Sequence, residues 1–202
     1  MRSRLLPAFL ALACLVTPFA QDEAQGTEGG LSFVEFKEFE KGDGIFAITL
    51  GTSIPLSFYD PTKPGFTAPN ANMGFAFSLS YLGMLDEHWA IGGDLAGSFI
   101  GTLAERRLFL APLSFRAAYM FNLSPFAIAP SAGIGMAISS LGDYKHVDPF
   151  IKLGSSFYWR VSGDMSYGFN LFTNIIPQFY ADSSQNRVGF FLEATLSIAY
   201  HL

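Results

Sequence analysis

The chain has 202 residues, 50% of them hydrophobic and 16% aromatic, with a mean hydropathy of +0.31 and only 14% charged residues, where soluble domains carry roughly 25%. A formal net charge of −5 without a basic patch argues against nucleic acid as a partner, and a single cysteine excludes both a disulfide framework and a thiolate-ligated metal site. Beyond the N-terminus no apolar run approaches the ~18–20 residues that a spanning helix needs.

Arg2 and Arg4 precede an apolar run from Leu5 to Val16, and the chain turns hydrophilic at Gln21. This order predicts a secretory signal peptide over residues 1–20. The competing reading takes ALAC, Ala11 to Cys14, as a lipoprotein cleavage box with Cys14 acylated. Removing residues 1–20 takes away Arg2, Arg4 and the one thiol, so 10 basic residues face 17 acidic ones in the exported chain. Residues 21–43 form a polar, acidic leader in which Phe33, Phe36 and Phe39 recur at a spacing of three. That spacing fits a short amphipathic helix or a segment lying against the domain, and a mobile leader is the alternative.

From Gly44 to Leu202 the period changes to two, and eight alternating segments follow: 44–54, 73–82, 89–99, 108–121, 126–139, 149–161, 165–176 and 188–202. Each is long enough for a tilted strand to cross a hydrocarbon core. Between Arg116 and Asp143 no side chain is charged, yet Asn122, Pro125, Pro130, Gly133 and Gly135 read as a hairpin rather than a helix. Pro112 and Pro130 each remove a ladder donor, which predicts bulges there. Connections after the second, fourth and sixth segments are short; those after the odd-numbered segments are longer, chiefly residues 55–72 and 177–186.

One face of each segment carries large apolar side chains and the other mostly Gly, Ala, Ser and Thr. Closed as a soluble barrel with the bulky face inward, eight strands would enclose too little volume for these side chains. Turned inside out, the large residues meet lipid, the small ones line a narrow lumen, and closure pairs every backbone donor and acceptor. The predicted fold is therefore all-β: an eight-stranded antiparallel transmembrane β-barrel. Tyr81 and Trp89 flank the first short turn, Tyr119 and Phe126 the second, Trp159 and Tyr167 the third, with Tyr200 at the same rim, as an interfacial aromatic girdle requires.

The pattern over 44–202 resembles the small eight-stranded outer-membrane barrels of diderm bacteria, the OmpA, OmpX and OmpW group. LDEHWAIGGDL, Leu85 to Leu95, resembles the first periplasmic turn and third strand of that group. Tyr200, His201 and Leu202 resemble its C-terminal assembly signal, with Leu202 where phenylalanine is usual. The resemblance implies short periplasmic turns, longer outer loops, an outer-membrane location, contact with outer-membrane lipid, and recognition by the barrel-assembly machinery through Tyr200 and Leu202.

With this facing, the inward charges are Asp94, Arg116, Lys152, Arg160 and Glu193. Asp94 and Arg116 lie at similar depth on neighbouring strands and are expected to pair; Glu193 is expected to meet Lys152 or Arg116. Such charges either seal the interior or border a conducting path. Tyr158, Asn170 and Asn174 add polar lining, and the many small inward residues predict space for water. No phosphate-binding loop, cofactor motif or metal-ligand spacing is present. Only His146, in the third long loop with Ser140, Asp143 and Asp148, offers hydrolytic chemistry, as in barrels that modify lipid A; the expectation is no enzyme. What remains is a narrow porin-like channel or a structural and surface protein, with a binding protein whose loops take small solutes or host ligands as the alternative.

Overall fold

The computed structural model describes residues 39–102, 107–142, 144–180 and 183–202. The signal peptide, Cys14, Phe33, Phe36, most of the leader and Asp143 lie outside the described residues. Among the described residues ten strands follow in order: β1 (Gly44–Asp60), β2 (Gly65–Thr67), β3 (Gly74–Met84), β4 (Trp89–Gly101), β5 (Arg107–Tyr119), β6 (Phe121–Leu123), β7 (Phe126–Leu141), β8 (Tyr144–Arg160), β9 (Met165–Gln178) and β10 (Arg187–His201). Eight form the wall in the order β10, β9, β8, β7, β5, β4, β3, β1, and pairing of β1 with β10 closes it. Among the described residues no helix is long and apolar enough to cross a membrane.

Closure runs antiparallel from Ile45 opposite His201 to Tyr59 opposite Val188, with one register shift between Pro55 and Ser57. Next to the Ile45–His201 pair, Gly44 N–H donates to Leu202 O at 3.0 Å and Leu202 N–H to Gly44 O at 2.7 Å. The prolines expected to cause bulges act differently. Pairing of β5 with β7 stops at Ala118 opposite Ser131, next to Pro130, and resumes in the same register as β6, Phe121 opposite Ile128. The missing N–H of Pro130 interrupts the ladder without inserting a residue. Likewise β4 and β5 pair at Leu95 with Leu113 and next at Ser98 with Leu110, skipping Pro112 without a shift.

Strands reach farther at the long-loop end than alternation predicted. β1 continues through Asp60 and turns back as β2, with Tyr59 opposite Phe66. The third connection shrinks to the turn between Leu141 and Tyr144, where Gly142 sits at φ +62°, a left-handed conformation that lets the chain reverse within two residues.

Exposure alternates along every wall strand. On β9, Ser166, Asn170, Phe172, Asn174 and Ile176 are buried, whereas Tyr167, Phe169 and Leu171 are exposed. Outward side chains include Ile134 at 69% and Leu196 at 65% exposure. Each such side chain left in water forgoes about 1.5–3 kcal/mol of burial, so a belt of them is stable only where hydrocarbon surrounds it. The apolar face is lipid-facing.

Candidate functional site: the filled lumen and its two mouths

At the short-turn end aromatic side chains line the outer face. Tyr81, Trp89, Phe126, Trp159, Tyr167 and Tyr200 are exposed, and Tyr119 is half-buried. Cross-strand register brings Trp89 opposite Tyr119, and Trp159 opposite both Phe126 and Tyr167. The Trp89 and Tyr119 rings meet edge to face at 5.2 Å. At the first short turn Asp86 accepts N–H bonds from Trp89 at 2.6 Å and His88 at 2.8 Å, and these bonds hold its carboxyl below the usual range.

Four charges meet halfway along the lumen. Asp94 on β4, Arg116 on β5, Lys152 on β8 and Glu193 on β10 are all at most 5% exposed. Lys152 Nζ donates to Asp94 Oδ2 at 2.8 Å and stands 3.6 Å from Glu193 Oε2. Arg116 Nη1 lies 3.9 Å from Asp94, so the expected Asp94 pairing forms, but Lys152 is the closer partner and the hub. Glu193 takes the Lys152 alternative and accepts a further bond from Asn174 Nδ2 at 2.8 Å. The Phe172 ring lies 4.6 Å from the Lys152 ammonium and 5.2 Å from the Arg116 guanidinium. Two cations and two anions cancel, which a water-poor interior demands. Around them Thr49 and Ser78 share a hydroxyl bond at 2.6 Å, and Asn170 Nδ2 donates to Thr195 Oγ1 at 3.3 Å.

Arg160 does not join this layer. It is inward and buried, but it sits eight residues further along β8 than Lys152, roughly 26 Å of strand at ~3.3 Å per residue. Its guanidinium covers the ring of Phe39 at 4.1 Å, at the short-turn mouth.

The expected free space is largely filled. Within the lumen, cavities beside the ion layer measure about 10 Å³ each, the room of a single water. Toward the long-loop end Ile100, Leu110, Phe150, Ile176 and Phe191 pack together inside. Toward the short-turn end Phe39, Ile45, Leu82, Met84, Met120 and Tyr158 pack among alanines. Of the apolar fillers, Phe150 and Phe172 were missed by sequence reading, although strand parity exposes them: Phe150 shares the face of Lys152 and Phe172 that of Asn170.

Above the upper cluster lies a cavity of about 430 Å³, lined by Phe58, Leu108, Leu110, Ile176 and Phe191 with His146, Ser139, Lys145, Gln178 and Tyr180. His146 is on strand β8 rather than in a long loop. Its Nδ1 lies 2.6 Å from the fully buried Asp148 Oδ1, and the Tyr180 ring stacks on it at 5.2 Å. Burial and the nearby Asp148 carboxylate raise the Tyr180 phenol above its usual range. Ser140, expected beside His146, stands opposite Lys145 one position along the same register, while Ser139 is opposite His146 and its Oγ donates to the His146 carbonyl at 3.4 Å. The Ser139 hydroxyl is thus turned to backbone, and the acid beside the imidazole is Asp148.

A family model that carries no functional description matches residues 21–200, and the chain belongs to that family. No curated protein matches the sequence. Among solved structures, Neisserial surface protein A is similar with a TM-score of 0.57 at 11% identity, over 79% of this chain and 97% of that one. The outer membrane protein OprG from Pseudomonas aeruginosa is similar with a TM-score of 0.52 at 10% identity, over 83% of this chain and 99% of that one. Closed eight-strand wall, apolar exterior and these likenesses agree: in fold the chain is an eight-stranded antiparallel β-barrel similar to those of small outer-membrane proteins.

Proposed function

We propose that the chain is an integral outer-membrane protein whose barrel is closed to solutes and serves as a structural, surface-exposed element of the envelope rather than as an open pore. The observation that carries this reading is the charge-neutral layer of Asp94, Arg116, Lys152 and Glu193, which with Phe172 leaves only single-water spaces in the lumen. An ion or solute passing this level must break the 2.8 Å contact between Lys152 and Asp94 and strand buried charges. Purified protein reconstituted in planar bilayers is expected to give no conductance above lipid leak. Stable single-channel steps from the unmodified protein would overturn the reading.

The cavity at the long-loop mouth supports a second reading, recognition of a small ligand at the cell surface. Its size lies within the ~300–1,000 Å³ range of ligand sites, and its apolar walls carry a few polar groups at one edge. In this reading the ion layer is the floor of a dead-ended site. Saturable binding lost on Ile176→Arg, in a barrel that still folds, would support it.

A further inference from the structure

We propose that the long-loop mouth is a receptor site for a single-chain alkyl carboxylate, its chain laid against the upper apolar cluster and its acid head held by Lys145 and His146. The proposal rests on the small-ligand reading of this cavity and names the class of ligand. Polarity in the cavity of about 430 Å³ is one-sided. All of its polar lining comes from one arc of the wall: Ser139 on β7, Lys145 and His146 on β8, Gln178 on β9 and Tyr180 just beyond it, and these strands are consecutive in the sheet. The lining from β1, β5 and β10 is apolar, with the Phe58 and Phe191 rings edge to face at 6.0 Å. A wholly apolar ligand would leave the polar arc unpaired, and a wholly polar one would leave the apolar walls wet. A chain with one polar end satisfies both.

The sign of the head follows from the donors. Lys145 can only donate; among the described residues it makes no ion pair, and no carboxylate lines the cavity. His146 is a fixed partner. Asp148 Oδ1 meets its Nδ1 at 2.6 Å, and the Tyr180 ring stacks on the imidazole with planes 30° apart, so Nε2 is the nitrogen left to a ligand. Asp148 is fully buried, and its Oδ2 has no hydrogen-bond partner among the described residues, so this carboxylate serves the imidazole alone. An acid head hydrogen-bonds Nε2 whichever of the two carries the proton, and Lys145 balances its charge. Burial and the Asp148 carboxylate keep the Tyr180 phenol protonated, which adds a donor to the same arc. An alcohol would bond Nε2 but leave Lys145 without a counter-charge, and a cationic head would meet Lys145 as a like charge. Beneath the cavity the ion layer closes the lumen, so the chain lodges at the mouth rather than passing through.

The test titrates the full chain in lipid nanodiscs, by calorimetry at neutral pH, with decanoate, decanol and decyltrimethylammonium, each corrected for its heat with empty discs. Decanoate is expected to bind saturably and about tenfold more tightly than decanol, with no saturable binding of the cation. Lys145→Gln, at an exposed position, is expected to bring decanoate down to the affinity of decanol and leave decanol unchanged, whereas Lys145→Arg keeps the preference. Leu108→Trp, which fills the cavity from its wall, is expected to weaken both. Heat-modifiable mobility on gels shows that each variant is folded, and Leu141→Trp takes the place of Leu108→Trp if the latter misfolds. Decanol or the ammonium binding as tightly as decanoate would overturn the proposal. So would an undiminished preference in Lys145→Gln, or undiminished decanoate affinity in the folded filled-cavity variant. If decanol binds saturably and decanoate no better, the ligand class falls while the small-ligand reading stands; if none of the three binds above empty discs, both fall. Conductance of unmodified protein would instead sink the closed-barrel reading and leave the binding result in place.

Discussion

Asp94 and Lys152, 58 residues apart in sequence, meet at 2.8 Å across the lumen, and Lys152 is at the same time within 3.6 Å of Glu193. One ammonium therefore compensates two buried carboxylates. Arg116, at 3.9 Å from Asp94 alone, is the lesser partner.

This ranking predicts the order of losses. Lys152→Ala should lower unfolding free energy by about 3–5 kcal/mol, since it leaves buried carboxylates with one cation, and Arg116→Ala by less. In a double-mutant cycle Asp94→Ala should offset part of the Lys152→Ala loss, with a coupling of roughly 0.5–3 kcal/mol. Urea titration of the folded barrel in lipid measures both, and strict additivity would contradict the contact.

Facing is tested by charge placement. Leu196, 65% exposed and set between Leu50 and Phe169 in the wall, lies in the lipid belt. Leu196→Arg is expected to cost about 2–4 kcal/mol, the penalty of a cation near the midplane of a barrel's lipid face. A cost near zero in the same urea titration would mean that this face is wet.

Both tryptophans, Trp89 and Trp159, belong to the girdle. Their fluorescence should be quenched more by lipids brominated close to the headgroup than by lipids brominated near the chain end. Stronger quenching from the chain end would place the girdle away from the interface.

Asp86 gives a pH dependence whose sign is fixed. Its folded carboxyl is held low by the N–H groups of Trp89 and His88, so its contribution to the first short turn is complete above the unfolded value of ~3.9 and fades as pH falls through the lower folded value. The protection factor of the Trp89 amide, its exchange rate relative to the unstructured rate at the same pH, should fall below about pH 4, and Asp86→Ala should show the lowered protection at neutral pH already. Unchanged protection in that variant would remove the cap from the account.

Much of this was legible in residues 44–202. Period-two alternation placed all eight wall strands and their facing, and aromatic positions at the short turns marked the rim, because both depend on local spacing. The partner of Asp94 was harder. Arg116 is its neighbour one strand away, whereas Lys152 reaches it from across the lumen, a distance set by barrel curvature and side-chain length rather than by register. Phe150 and Phe172 were hidden by treating phenylalanine as lipid-facing by type, when their parity with Lys152 and Asn174 puts them inside. Strand ends at the long-loop side escaped for another reason: the turn at Gly142 depends on one left-handed residue, and its surroundings look like any polar loop.

Pairing of β1 with β10 also dictates an order of events. The two strands that complete the wall are the farthest apart along the barrel sequence, so β1 has no lasting partner on one edge until β10 is in hand. During that interval the row of backbone groups from Ile45 to Tyr59 is an open template for any other strand.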